Sequence, residues 1–281
     1  MITIERTARI YAIMKFIQIR TLKKVLAQIV IILFGAVASN AGSLQNLVII
    51  SIDALHPAAL NAGITPTIFG EMRQGAYTLE GQSTNPPLTL VSHTAMLTGL
   101  GPDKSGKADN QWQPGEPTIE GRTIFNKARQ NGFQTGYYYS KQKLGYLVNE
   151  AVDVHRWSRD DAIDLAEAFI RKPGRHFVFL HVSGLDYVGP EHGWLSVEYM
   201  EELSYIDEYL TPLIRLVKEQ KNYVIIITSD HGGHDKIHGS QHPDDFRLPF
   251  VIHSDRTKFG SIQNSKYFVT DLKAIVNRVL K

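Results

Sequence analysis

Three short stretches of this 281-residue chain set a carboxylate near an imidazole: Asp53 with His56, Asp186 with His192, and Asp230 with His231 and His238. Each stretch follows a run of apolar or β-branched residues, namely Leu47–Ile52 (LVIISI), Phe177–Val182 (FVFLHV) and Val224–Thr228 (VIIIT). An acidic residue directly after a buried strand is commonly only a helix cap or turn former. Three of them, one inside Asp-His-Gly-Gly, favour metal ligation instead. Converging carboxylates repel unless a cation compensates them, and Asp/His sets suit zinc or a similar divalent ion.

Eight of the eleven histidines lie between His176 and His253, and four of those fall within His231 to His242. His234, His238 and His242 are spaced i, i+4, i+8, which on a helix would line one face. Gly232, Gly233, Gly239 and Pro243 argue against a helix there, so a loop carrying one or two ligands is expected. His181, inside its strand, reads as packing or support rather than as a ligand. A hydroxyl that could use such a centre lies in Asn85-Pro86-Pro87-Leu88-Thr89-Leu90-Val91-Ser92-His93. Pro86-Pro87 stops regular structure, and a helix is expected from Ser92 onward, with free N–H groups that favour an anion. A hydroxyl there, beside a divalent ion, could ionise and attack phosphorus. The alternative is that Thr89 and Ser92 serve only as caps.

The elements that must position these groups alternate. Besides the three strands named, Thr135–Ser140 and Phe250–His253 read as strands, while Thr123–Gln130, Arg159–Arg171, Ser196–Glu219 and Thr270–Leu280 read as helices. Gly101–Gly121, rich in Gly, Pro and polar residues, reads as a surface loop. Several strands are apolar on successive residues, which suits parallel strands covered on both faces. The expected architecture is one α/β domain with a mainly parallel central sheet and helices on both faces, its chemistry at the carboxyl ends of the strands.

Composition narrows the classes further. With 43% apolar and 21% charged residues the chain can bury a core, and with no cysteine it has no disulfide, thiolate-bound metal or thiol nucleophile. Lys15, Arg20, Lys23 and Lys24 precede an apolar run from Val25 to Ala38, followed by Ser39-Asn40-Ala41-Gly42. This basic, apolar, small-residue order reads as a secretory signal over residues 1–41, with Met14 a candidate start; the run is short for a membrane span of about 17–25 residues. Residues 42–281 then form the mature domain. Removing six basic residues and Glu5 takes the net charge from +2 to −3. The mature chain also lacks a basic, aromatic stripe, so no nucleic-acid-binding module is expected. N-terminal sequencing of exported protein should find the start near Gly42; a start at Met1 would contradict export by cleavage.

From Asp53 to about Pro249 the motifs resemble the alkaline phosphatase superfamily, and especially its nucleotide pyrophosphatase/type I phosphodiesterase branch. The residues carrying the resemblance are Asp53 after the first strand, Thr89-Leu90-Val91-Ser92-His93 leading to Thr98-Gly99, and Pro102 with Asn110. Asp186-Tyr187-Val188-Gly189 resuming at Gly193, Asp230-His231-Gly232, and His238-Gly239 complete the set. The resemblance implies an alkaline-phosphatase-like fold and two divalent ions, most simply zinc. One would be held by Asp53, Asp230, His231 and Thr89, the other by Asp186, His238 and a histidine of the Asp186 loop. It implies Thr89 as nucleophile, with the Ser92 segment and Asn110 binding phosphate oxygens. Pro190 stands where the branch places a ligating histidine, which leaves His192 as the available substitute.

The function so implied is an exported, metal-dependent phosphohydrolase acting on a small-molecule phosphate ester, more in the manner of a phosphodiesterase than a phosphomonoesterase. A sulfatase or phosphonate hydrolase on the same scaffold is the first alternative, although sulfatases commonly modify a Cys or Ser where this chain has Thr89. A non-catalytic binding protein that lost a ligand at Pro190 is the second.

Overall fold

The computed structural model describes residues 42–281, and Leu44–Lys281 form one compact unit. The expected signal segment lies outside the described residues. Eight strands make a single sheet: β1 (Asn46–Ile52), β2 (Ala76–Gln82), β3 (Gln134–Tyr139), β4 (Val154–Trp157), β5 (His176–Val182), β6 (Tyr223–Thr228), β7 (Arg247–Ser254) and β8 (Tyr267–Phe268). Their order across the sheet is β4-β3-β5-β1-β6-β7-β2-β8. β7 pairs antiparallel with both β6 and β2, and all other pairings are parallel. Every strand except β7 therefore ends at the same edge.

Among the described residues, seven helices of seven residues or more flank the sheet: α1 (Pro66–Gln74), α2 (Thr89–Thr98), α3 (Ile124–Gln130), α4 (Ala162–Ile170), α5 (Leu185–His192), α6 (Val197–Glu219) and α7 (Asp271–Val279). Residues of β1 are buried without exception, and they alternate between two cores. Leu47 and Ile49 join the apolar faces of α2, α3 and α7, whereas Val48, Ile50 and Ile52 join those of α1, α4 and α6. Burial on both faces is why β1, β5 and β6 read as unbroken apolar runs. Ser196 caps α6 by accepting from the Tyr199 N–H, and the Leu203, Ile206, Leu210, Leu213 and Val217 stripe faces the sheet.

Several expectations needed revision. β2 (AYTLEGQ) alternates and carries Glu80 and Gly81, so it gives no apolar run, and β4 (VHRW) is a short edge strand with three exposed residues. α5 contains Gly189 and Pro190, the residues that read as a loop. A Cβ on Gly189 would lie 2.9 Å from the Trp194 ring, so packing against that indole requires a glycine there. Pro190 lies inside this helix and supplies no N–H to the Asp186 carbonyl four residues before it. The helix that carries Thr89 starts at that residue, not at Ser92, because Leu88 is already extended and the Pro86-Pro87 break lies just ahead of it.

Candidate active site

Five strand ends converge on one edge. Asp53 follows β1, Asp186 sits one turn beyond β5, and Asp230-His231 follow β6. Lys141 follows β3 after a single residue, and the loop after β2 leads to Thr89 at the first turn of α2. Asp53, Asp230, His231 and Thr89 are all fully buried.

Local backbone chemistry fixes each group. Ala54 takes the left-handed conformation (φ 62°), which an alanine adopts at a cost. It is held by the Tyr199 hydroxyl and Trp194 Nε1 donating to its carbonyl at 2.8 and 3.3 Å, and by its own N–H donating to Asp230 Oδ1 at 3.1 Å. The two glycines after His231 answer a spatial requirement. A Cβ at Gly232 would meet the Asp244 carbonyl oxygen at 2.2 Å, and one at Gly233 would meet the Trp194 ring at 2.2 Å. His231 Nδ1 donates to the Gly232 carbonyl at 2.8 Å, which aims Nε2 into the site.

The carboxylates divide their oxygens between two directions. Asp53 Oδ2 accepts from Lys141 Nζ at 2.6 Å and from His181 Nε2 at 3.0 Å. Asp186 Oδ2 also accepts from Lys141 Nζ. The remaining atoms, Asp53 Oδ1, Asp186 Oδ1, Asp230 Oδ2 and His231 Nε2, are buried and have no hydrogen-bond partner. His231 Nε2 lies 3.3, 3.8 and 3.6 Å from those three oxygens in that order. Donors spaced about 3.3–3.6 Å apart are what a tetrahedral ion with ligands at 2.0–2.2 Å requires. Asp53/Asp230/His231 and Asp186/His231/His238 thus each form a set whose ligand atoms lie close enough to share a divalent cation, with His231 common to both.

Electrostatics agree with that fit. Burial opposes charge on Asp53, yet the Lys141 ammonium, the hydrogen bond from His181 and the nearby His231 imidazole hold its carboxyl well below the usual range. Burial likewise opposes a proton on His231, but Asp230, Asp53 and Asp186 together raise it to about 10. A cationic imidazole is therefore the compensation these carboxylates draw from the chain itself. His93 behaves oppositely: burial takes it down to about 4, and its Nδ1 donates to the Thr89 carbonyl at 2.7 Å.

Thr89 Oγ1 accepts from Lys141 Nζ at 3.3 Å, and the Thr89 side chain makes no cap bond. Asn110 Oδ1 accepts the Leu90 N–H at 2.9 Å, which ties the Gly101–Gly121 loop to the start of α2 beside Thr89. Ser92 is placed differently from its expected role. Its hydroxyl pairs with Ser83 and Thr84 at 2.8 Å each and its N–H donates to the Leu88 carbonyl, so it braces the loop and has no N–H left for a substrate. His192 is not gathered with the other candidate ligands. Six residues after Asp186 on α5, it stands about 9 Å along and about 240° around the helix, where its half-exposed ring faces Glu191 and Glu198. His238 is gathered: its Nε2 lies 3.3 Å from Asp186 Oδ1 and its ring stacks on His231. His234 pairs with Asp245 at 2.7 Å and His242 stacks on it, and these three form a separate set whose ligand atoms also lie close together.

Lys141 is the residue that sequence reasoning passed over. The signal was available, because it directly follows the Thr135–Ser140 run as Asp53 follows its own strand. A lysine at a strand end ordinarily reaches solvent, whereas this one is buried.

Known proteins bear on this geometry. Residues 47–242, more than half of the chain, match the family described as type I phosphodiesterase/nucleotide pyrophosphatase. Among curated relatives, GPI ethanolamine phosphate transferase 1 of Mus musculus is 27% identical over 161 residues, 53% of this chain. The Candida glabrata protein of the same name is 36% identical over 86 residues, 29% of this chain. The chain spans only 17% and 9% of the lengths of these two relatives. Three solved structures share the fold over 85% of this chain. A putative sulfatase from Bacteroides thetaiotaomicron has TM-score 0.67, 14% identity and 71% of its own chain covered. The lipoteichoic acid synthase LtaP from Listeria monocytogenes has 0.63, 16% and 72%. The zinc complex of the C-terminal periplasmic domain of EptC from Escherichia coli has 0.62, 12% and 83%. The chain has the alkaline-phosphatase-like fold and belongs to the type I phosphodiesterase/nucleotide pyrophosphatase family.

Proposed function

We propose that the chain is a metal-dependent enzyme that cleaves phosphodiesters by passing the phosphoryl group through Thr89. The observation that carries this reading is the pair of ligand sets, Asp53/Asp230/His231 and Asp186/His231/His238, with buried partnerless atoms in each, and the Lys141 ammonium that joins Asp53 and Asp186 to the Thr89 hydroxyl. Asp53, Asp186, Asp230, His231 and His238 would hold the metal, with zinc the ion their donor types suit. When bound, it would supply a Lewis acid that favours ionised Thr89 and neutralises phosphate charge.

The chain's own residues do the rest. Packing at the start of α2 and the Asn110–Leu90 bond fix Thr89 Oγ1 in place, and the Lys141 ammonium stabilises negative charge on that oxygen. As the Thr89 Oγ–P bond forms, the bond to the leaving oxygen breaks. Attack of an acceptor oxygen on phosphorus then breaks the Thr89 ester and restores the hydroxyl. With water as acceptor the enzyme is a hydrolase, the reading favoured here. The names of the transferase relatives support a second reading, in which an alcohol accepts the group.

The purified chain should turn over bis(p-nitrophenyl) phosphate in zinc, fall to background after chelation, and recover when zinc returns. Turnover that survives complete chelation would sink the metal-dependent reading. Adding glycerol and analysing products separates the acceptors: a glycerol ester marks transfer, and free monoester alone marks hydrolysis. An exported location is part of the proposal, supported by the basic-apolar-small leader. Among the described residues, no helix is long and apolar enough to cross a membrane.

A further inference from the structure

We propose that a cavity at the opposite edge of the sheet is a second ligand site, for an amphiphile whose head carries a phosphate-like anion. It is separate from the strand-end centre and stands whether or not Thr89 is the nucleophile.

Strand direction places it. Leu44 precedes β1, Phe133 precedes β3, Arg175 precedes β5, Val224 lies near the start of β6, and Ser254 ends the antiparallel β7. All five line one cavity of about 440 Å³, together with the end of α7 and the segment after β7. Small-molecule sites have volumes of about 300–1,000 Å³. Asp53, Asp186 and Asp230 lie beyond the other ends of β1, β5 and β6.

The lining is sorted by charge. It holds five basic side chains, among them Arg175, Arg256, Lys258 and Arg278, and no Asp or Glu. Residues 42–281 as a whole carry a net charge of −3, so this gathering runs against the composition. Among the described residues, the side chains of Arg256, Lys258 and Arg278 have no hydrogen bond or ion pair. The Asp255 carboxylate, next to Arg256, is occupied by the Asn222 and Tyr223 N–H groups at 2.8 and 3.0 Å.

A basic patch that is only solvated needs neither walls nor a fixed member. Here Arg175 is fixed: its Nε and Nη1 donate to the Leu44 and Asn131 carbonyls at 2.8 Å each, and its guanidinium lies 4.0 Å from the centre of the Phe133 ring. Nη2 is left over for an acceptor, at a planar group suited to phosphate oxygens. Burial and the Arg256 charge both push the Arg175 guanidinium down, so an anion between the two would relieve their repulsion. Beside these cations the walls are apolar, with Leu44, Phe133, Val224 and Leu280 buried and Phe259 half-buried. Free phosphate would use the basic groups alone, whereas a phosphate bearing an alkyl or acyl chain would use the apolar wall as well.

Backbone amide NMR of the zinc-loaded full chain tests this, because it reads each residue separately and a probe held at the metal centre is not mistaken for one held here. The probe is hexylphosphonate, which has no ester to cleave, with inorganic phosphate and hexan-1-ol as comparators. Hexylphosphonate should saturably shift the amides of Leu44, Phe133, Arg175 and Arg256–Phe259. It should bind at least about tenfold more tightly than inorganic phosphate, a gain that burial of about two methylenes supplies. Arg256→Gln/Lys258→Gln should weaken it about tenfold or more, as loss of charge-assisted contacts does. Arg73→Gln/Lys104→Gln, which removes the same charge from other exposed sites, should leave it unchanged. Absence of saturable shifts at these residues overturns the proposal, as does equal weakening by the two double variants. Inorganic phosphate or hexan-1-ol binding there as tightly as hexylphosphonate overturns it too, since head and chain would not both be read. None of these readouts uses turnover, so an inactive chain would leave this site standing and an empty cavity would leave the phosphodiesterase reading standing.

Discussion

Replacing Thr89 by alanine should lower phosphodiester turnover by on the order of 10³-fold or more, as deletion of an activated nucleophile does in other covalent mechanisms. The reasoning is positional. Thr89 is the first residue of α2, Leu88 occupies the cap position, and the threonine hydroxyl has the Lys141 ammonium as its partner instead of a backbone N–H. A threonine serving as a cap would show a different signature: about 1 kcal/mol of stability lost on removal and turnover little changed. Thr89→Ala should leave zinc binding in place, because Asp53, Asp230 and His231 are untouched. Thr89→Ser, which keeps an oxygen at the same point, should recover most of the lost rate. Steady-state rates for the two variants beside the wild type, with zinc content measured in each, provide the check. Wild-type turnover in Thr89→Ala would remove this residue from the chemistry.

Asp53→Ala should be the most damaging single change to the metal-free fold. Asp53 Oδ2 accepts from Lys141 and His181, both buried, and its removal leaves the ammonium facing a void on that side. Breaking a buried pair by deleting one partner costs about 3–5 kcal/mol. For a domain of this size that corresponds to a fall in Tm of roughly 6–20 °C. Asp53→Asn keeps an oxygen that can accept from Lys141 or His181, so its loss should be smaller, although it too should weaken zinc binding. Calorimetry of chelated wild type, Asp53→Asn and Asp53→Ala gives the order directly. Equal Tm values for the alanine variant and the wild type would mean that Lys141 is solvated and not held at Asp53.

How much of this was legible in the sequence depended on whether a residue's surroundings came from its own strand or from elsewhere. Asp53, Asp186 and Asp230 could be read because each sits just beyond a continuous apolar run, and a parallel sheet brings such ends to one edge. The break at Pro86-Pro87 placed Thr89 beside a helix start, though the helix begins at Thr89 itself. The position of His192 turned on whether Gly189-Pro190 loops or coils. A Trp194 ring packed on Gly189 decides for a helix, and that contact depends on the turn at Gly193, not on local propensity. Ser92 was misread because a hydroxyl at a helix start and one in its interior look alike in sequence; its partners, Ser83 and Thr84, come from the loop after β2. β2 itself is defined by pairing with β7, a long-range contact that its alternating, half-polar sequence does not announce. Lys141 was the costliest omission, since its role follows only from carboxylates supplied by β1 and the α5 turn.

The stereochemical course at phosphorus tests the central claim most directly. A diester made chiral at phosphorus by sulfur substitution can be turned over by the zinc-loaded chain and its product configuration determined. Two successive in-line displacements, to Thr89 and then to the acceptor, each invert the centre, so net retention is the expected result. Net inversion would mean a single displacement by the acceptor, and would contradict passage of the phosphoryl group through Thr89.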